Sequence, residues 1–354
     1  MFSKSSAFLA SFFANRLTRQ VRELWASTLI MDLAVSMVAI FEPVFLYLLF
    51  SRYYPLSAAL MLVCLFYLAI YAAYLFAIPL GAKFARRFGY ENSIAVASVF
   101  FILIYFSLFA ARTWPVFIAV AIIAYVAQKT FYWPAFHSNF ARFSAAGERG
   151  REISNLWALE SAIYIIGPLI GGLAIEFYGF KALFVLVSIL MLASNIPMLI
   201  TRENFEPKKF AYWPAFRRLF DRDNRRRLSA HLGFGEEWIA LVIWPIFMYL
   251  VARDFLGLGL ISASSTFFAT VIILFIGRWT DKNDKARVLR FGSILYFFSW
   301  LFKILARAAS GVILVDVYSR VAKSTIALPI TADIYDNAKR GSVMETIVFF
   351  EMSL

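Results

Sequence analysis

The residues best suited to chemistry are ionisable side chains inside apolar runs. Glu42 stands directly before Pro43 in the run 28–50, Lys129 lies near the middle of 114–140, and Glu160 sits about two turns into 153–175. Asp316, Arg320 and Lys323 follow one another in 311–332 at spacings of four and three, which places all three on one helix face. A charge at mid-bilayer costs about 2.5–3.5 kcal/mol by insertion scales, so such groups face a cavity or a partner. A carboxylate near an ammonium can bind a proton in one access state and release it in another; the same pair can equally be a static tie between helices. The 316/320/323 row also has two readings. Its bases attract an anionic solute, or they pair with Asp316 and with Glu236 and Glu237 of the run 229–252. Lys303 falls in the outer part of 287–308. Asp32 is close enough to the end of its run to be read as solvated, and His137 reads as a polar interface residue.

The elements that must position these groups are membrane spans. Hydrophobic residues make up 62% of the 354-residue chain and charged residues 16%, against about a quarter charged in soluble domains. Apolar runs of about 20 residues, enough for a helix to cross a bilayer, fall at 28–50, 58–80, 92–111, 114–140, 153–175, 180–201, 229–252, 258–277, 287–308 and 311–332, with an eleventh starting at 343–354. The expected class is an all-α polytopic membrane protein. Of the 35 Lys and Arg, 26 fall in the amino-terminal segment and alternate connections, and five (Arg52, Arg112, Lys181, Arg253, Arg307) in the opposite connections. The positive-inside rule then places the amino terminus and the central loop in the cytoplasm, with the cytoplasmic or inner membrane as the expected location. Residues 1–27 read as an amphipathic segment on the inner face, 28–201 as a six-helix bundle, 202–228 as a basic linker, and 229–354 as an incomplete second bundle.

The two bundles read as copies of each other. Pro43-Val44-Phe45-Leu46-Tyr47-Leu48 matches Pro245-Ile246-Phe247-Met248-Tyr249-Leu250. Gly81 matches Gly277, Pro134 matches Pro329, Arg149-Gly150 matches Arg340-Gly341, and Glu160 matches Glu351. A duplicated unit joined by a basic loop is the plan of a two-bundle transporter. On this alignment the second copy stops before its fifth span is complete. A truncated product is the preferred expectation and a ten-span protein the second.

Two motifs resemble those of the major facilitator superfamily. Gly277-Arg278-Trp279-Thr280-Asp281-Lys282 is similar to that family's loop signature of Gly, three residues, Asp and a base. The first-half copy keeps Gly81 and Arg86 but has Ala85 in place of Asp. Gly167-Pro168-Leu169-Ile170-Gly171-Gly172 is similar to the core of the family's antiporter motif, with Ile163 where a further Gly is expected. The resemblance implies a fold of two six-helix bundles, alternating access, and a central cavity lined by spans one and four, which would carry Glu42 and Lys129 with Glu160 beside them. Independently of the family, small residues at 167, 171 and 172 let helices approach closely, and Pro168 removes a helical hydrogen bond. Simple packing is the alternative. Asp281 and Lys282 form either a state-dependent ion-pair site or a solvated loop.

Tyr47, Tyr132 and Tyr249 are candidate cavity aromatics, although Tyr and Trp also form interfacial belts in any membrane protein. One cysteine and two histidines leave no metal framework, and no cofactor is expected beyond a proton or other ion gradient. A nucleotide-binding Gly-x-x-x-x-Gly-Lys-Ser/Thr, a His-Glu-x-x-His and a Gly-x-Ser-x-Gly are absent from the sequence, which argues against ATP-driven export by this chain and against an intramembrane enzyme. The net charge of +13 lies in alternate loops, which argues against nucleic acid. The expected function is secondary transport, tilted towards proton-coupled efflux (an antiporter) of a small organic solute by a monomer in the lipid bilayer. Solute uptake is the alternative, followed by a non-transporting scaffold or sensor.

Overall fold

The computed structural model describes residues 19–143, 149–200, 209–234, 237–281, 285–340 and 343–353. The first span is two helices in line, α1 (Arg19–Val38) and α2 (Phe41–Phe50). Pro43 has no N–H to give the carbonyl four residues back, so the helix breaks at Ala39–Ile40. That break puts Glu42 in the first turn of α2, where unpaired backbone N–H groups and the helix dipole favour an anion.

The chain continues through α3 (Leu56–Phe88), α4 (Tyr90–Ala110), α5 (Phe117–Phe143), α6 (Arg149–Ser194) and α7 (Ile196–Leu199). Gly89 (φ 106°) separates α3 from α4 within a single residue. Gly179 (φ 75°, ψ 174°) interrupts α6, dividing it between the fifth and sixth spans. Both conformations strain any residue with a Cβ. The interruption therefore falls at Gly179, while Pro168 stays within helix.

The linker contains helix. α8 (Tyr212–Leu219), a 3-10 turn (Arg222–Asn224) and α9 (Arg225–Phe234) precede α10 (Glu237–Ala252), α11 (Phe255–Asp281), α12 (Lys285–Leu305), α13 (Ala309–Arg340) and α14 (Val343–Ser353). α1 begins at Arg19, inside the segment read as 1–27; residues 1–18 lie outside the described residues. Among the described residues, six helical segments are long and apolar enough to cross a membrane. α5 and α13 are not among the six: Gln128 and Lys129 interrupt the apolar run of α5, and Asp316, Arg320 and Lys323 that of α13.

Two apolar clusters hold the halves together. The larger joins Phe41, Phe45 and Leu46 of α2 and its approach to Ile246, Met248 and Leu258 of α10 and α11. The smaller, at the end bearing the basic connections, joins Ile78, Ala82 and Ala85 of α3 to Met344, Val348 and Met352 of α14. Leu65, Leu68, Phe76 and Leu80 of α3 stay exposed, a surface suited to lipid rather than water.

Glycines set the closest approaches. A Cβ on Gly167 would strike Ser36 of α1, and one on Gly171 would strike the Met37 carbonyl. A Cβ on Gly172 would lie 2.8 Å from the Phe255 carbonyl oxygen, and one on Gly259 would lie 2.5 Å from that of Pro168. The 167–172 motif thus packs the fifth span against the first and against α11 of the other half. Gly81 is inside α3 and not at the opening of a loop, and a Cβ there would strike the Thr130 carbonyl of α5. Arg86 is also inside α3, and its buried Nε has no hydrogen-bond partner among the described residues. Gly277 and Asp281 are in the last turns of α11 and Pro329 is within α13; the surroundings of their side chains, and Lys282 itself, lie outside the described residues.

Candidate functional site

Glu42 is the centre of a closed polar cage. Only 3% exposed, its carboxylate accepts hydrogen bonds from Tyr67 of α3 at 2.6 Å, Tyr105 of α4 at 2.8 Å and Tyr125 of α5 at 2.9 Å to both oxygens. Four helices therefore converge on one side chain. An ionised carboxylate has about four lone-pair directions and accepts only, so hydroxyl donors from three sides suit it. Bonds to a charged acceptor contribute about 1.5–3 kcal/mol each, which offsets the desolvation of a buried charge.

Lys129 lies one turn beyond Tyr125 on α5. It is buried, with Nζ 4.9 Å from the Tyr71 ring centroid and 5.9 Å from that of Tyr125. Ring faces attract an ammonium, the more so where water is scarce. Two carboxylates act on it electrostatically, Glu351 of α14 and Glu42. Glu351 in turn accepts from Tyr74 of α3 at 2.9 Å and lies 3.3 Å from His137 Nε2 of α5. Tyr67, Tyr71 and Tyr74 fall at i, i+4 and i+7 on α3; Tyr125, Lys129, Trp133 and His137 repeat every four residues on α5. Each set occupies one helix face. Together they form a polar ladder from the Glu42 cage to the basic end, and its last rung, Glu351, belongs to the other half.

Glu160 is not part of this ladder. It acts electrostatically on Asp32, which is 8% exposed and so buried, not solvated as its position in the sequence implied. Tyr132 and Tyr164 feel the same two carboxylates. Tyr132, read as a cavity aromatic, is 5% exposed and stacked on Phe136 at 5.3 Å. Tyr47 and Tyr249 neighbour each other at the end opposite the basic connections, with Tyr249 stacked 5.0 Å from Phe255.

In the second half Asp316 accepts from Arg320 Nε at 2.7 Å and from Trp244 Nε1 at 2.9 Å. Lys303 Nζ lies 4.2 Å from the Trp300 centroid and 5.1 Å from that of Trp244. Lys323 lies 4.8 Å over Tyr296. Of the two readings of this row, the Arg320–Asp316 pair is present, whereas Glu236 and the Glu237 side chain lie outside the described residues.

The residues that sequence reasoning missed are Tyr67, Tyr71, Tyr74, Tyr105 and Tyr125, with Glu351 noticed only as a repeat equivalent. The 67/71/74 spacing was a readable signal, because three tyrosines on one face of a bilayer helix need partners. Among the described residues there is no group of His, Cys, Asp and Glu that could hold a metal ion.

The fold has known counterparts. An auto-inhibited peptide transporter of the POT family superposes over 95% of this chain and 87% of its own, with TM-score 0.65 and 12% identity. A D-xylose–proton symporter covers 94% and 86%, with TM-score 0.62 and 15% identity. A second POT-family transporter covers 95% and 88%, with TM-score 0.64 and 12% identity. At these identities the likeness is one of fold. No curated protein sequence matches the chain. The sequence profile described as Major Facilitator Superfamily matches residues 24–352. With nearly its whole described length matched, the chain belongs to the Major Facilitator Superfamily.

Proposed function

We propose that this secondary transporter couples solute movement to protons through Glu42 and Lys129. One observation carries the reading: a buried carboxylate held by hydroxyls from three other helices and within electrostatic reach of a buried ammonium. A static tie between helices is the alternative, and the neighbouring buried ammonium, which also feels Glu351 of the other half, favours coupling. Protonation of Glu42 cancels the charge that the three tyrosines and Lys129 face, and so changes the balance of Lys129 between Glu42 and Glu351. Since Glu351 lies across the interface between the halves, that balance bears on whether the basic end is closed. The other end closes through the glycine contacts of α6 with α11.

The solute is a small organic molecule, and the chain acts as a monomer with its basic end in the cytoplasm. Efflux is the preferred direction, supported by the antiporter-like Gly167-Pro168-x-x-Gly171-Gly172 segment. Uptake is the second reading, favoured by the fold likeness to a D-xylose–proton symporter. The test is proton flux in proteoliposomes loaded with a pH-sensitive dye. Sugars, amino acids, short peptides and lipophilic amines would be added in turn under an imposed pH gradient. The expected result is solute-dependent proton movement that Glu42→Gln abolishes. Solute movement with an unchanged proton signal in Glu42→Gln would remove Glu42 from the coupling role.

A further inference from the structure

Helix α8 crosses the seam between the halves at the basic end. Its Tyr212 hydroxyl donates to the Phe76 carbonyl of α3 at 3.0 Å, and Phe216, one turn on, stacks 5.9 Å from the Phe76 ring. Ala215 and Leu219 complete this buried face. Arg218 pairs with Glu345 of α14, so the helix is strapped to both halves.

The opposite face is exposed and has a particular composition. Trp213 is 77% exposed, and Phe220, just beyond the helix, 71%. Arg217 lies on that face, and Arg222, Arg225 and Arg227 follow, all exposed. Between 202 and 228 the sequence carries nine Lys and Arg against four Asp and Glu. Its depth can be gauged along α3. Phe76 is twenty residues beyond Leu56, which at about 1.5 Å per residue is about 30 Å, the thickness of the hydrocarbon core. The exposed Phe76 ring therefore lies at the edge of the lipid, and α8, stacked on it, lies at headgroup level. Aromatic rings beside arginines at that depth are the pattern of a helix that seats in the interface and attracts anionic lipid.

The geometry points to α8 and the arginines that follow it as a docking surface for anionic phospholipid headgroups, with Trp213 and Phe220 seated at the acyl-chain boundary and Arg217, Arg222 and Arg225 on the phosphates. Because Arg218 also holds Glu345 on α14, lipid bound here acts on the strap between the halves. The inference rests on the chain spanning a bilayer and not on proton coupling, so the two fail separately.

The chain's one cysteine, Cys64, allows a simple test. In a Cys64→Ala background, Trp213→Cys is labelled with an environment-sensitive fluorophore. The protein is placed in nanodiscs of phosphatidylcholine, or of an equimolar mixture with phosphatidylglycerol. The expected result is emission shifted to the blue in the mixed discs only. The shift should be lost in the triple variant Arg217→Gln, Arg222→Gln, Arg225→Gln, and suppressed by molar salt, which screens headgroup charge within a few ångström. Equal emission in the two lipids overturns the proposal: blue in both means apolar seating without headgroup recognition, and solvent-like in both means no membrane contact. A blue shift that survives the triple variant also overturns it. All substituted positions except Cys64 are in the linker, and a monodisperse elution profile reports folding independently of any lipid effect.

Discussion

At the scale of single residues, Glu42 is the acceptor that satisfies three buried hydroxyls. Replacing it by alanine leaves Tyr67, Tyr105 and Tyr125 without their acceptor, and each orphaned buried donor costs about 1–3 kcal/mol. Glu42→Gln keeps one acceptor oxygen but turns an amide donor towards hydroxyl donors. Thermal unfolding in detergent should therefore rank wild type above Glu42→Gln and Glu42→Ala lowest. Tyr105→Phe removes one donor to the carboxylate only and should cost about 1.5–3 kcal/mol. If all three variants melt with the wild type, the cage is not holding a charge. Much of this was legible in the sequence, because Glu42 and Lys129 are ionisable side chains well inside apolar runs. Tyr105 and Tyr125 were not, since nothing in the composition of a span tells which aromatic faces the bundle and which the lipid. Asp32 misled for a definite reason. Its helix starts at Arg19, about three and a half turns before it, so closeness to the start of the apolar run did not mean closeness to water.

At the scale of elements, glycines decide how near the helices come. Gly81→Ala drives a methyl group into the Thr130 carbonyl of α5, and forced separation of packed helices costs about 1–3 kcal/mol. In α9, a Cβ on Gly233 would meet nothing within 4 Å among the described residues. There Gly233→Ala should be neutral or stabilise by about 0.5–1 kcal/mol through helix propensity. Opposite signs in a melting experiment would support this contact map, and equal effects would contradict it. Gly81 was read from the sequence as opening a loop; the loop reading failed because α3 runs on to Phe88, past Arg86, where a hydropathy run ends earlier than the helix. The Gly167–Gly172 segment, by contrast, announced close packing through residue size alone. Its partners, Ser36, Met37 and Phe255, come from two different helices, and a repeat alignment does not say which.

Across the interface, Glu351 ties α14 to Tyr74 of α3 and His137 of α5, and near it Ser138 lies 3.5 Å from the Met344 sulfur. In a Cys64→Ala background, Ser138→Cys and Met344→Cys should cross-link readily. Adding Glu351→Gln should lower the cross-linked fraction severalfold, because one charged rung is lost. An unchanged fraction would mean that apolar packing of Met344, Val348 and Met352 closes this end unaided.

At the scale of the whole molecule, the sequence carried the class, and the fold of a Major Facilitator Superfamily member followed. It did not carry the pairing between halves, which depends on side chains hundreds of positions apart, such as Tyr74 with Glu351. On the proposed mechanism the two ends open in opposition and Glu42 sets the balance. The most direct measurement is double electron–electron resonance on two label pairs across the halves, placed at exposed sites. Arg87 and Leu232 mark the basic end, and Tyr178 and Leu305 the other. The prediction is that acidification changes the two distances in opposite directions, and that Glu42→Gln holds both at their acid values at every pH. Distances that do not respond to pH, that move together, or that respond equally in Glu42→Gln would contradict it.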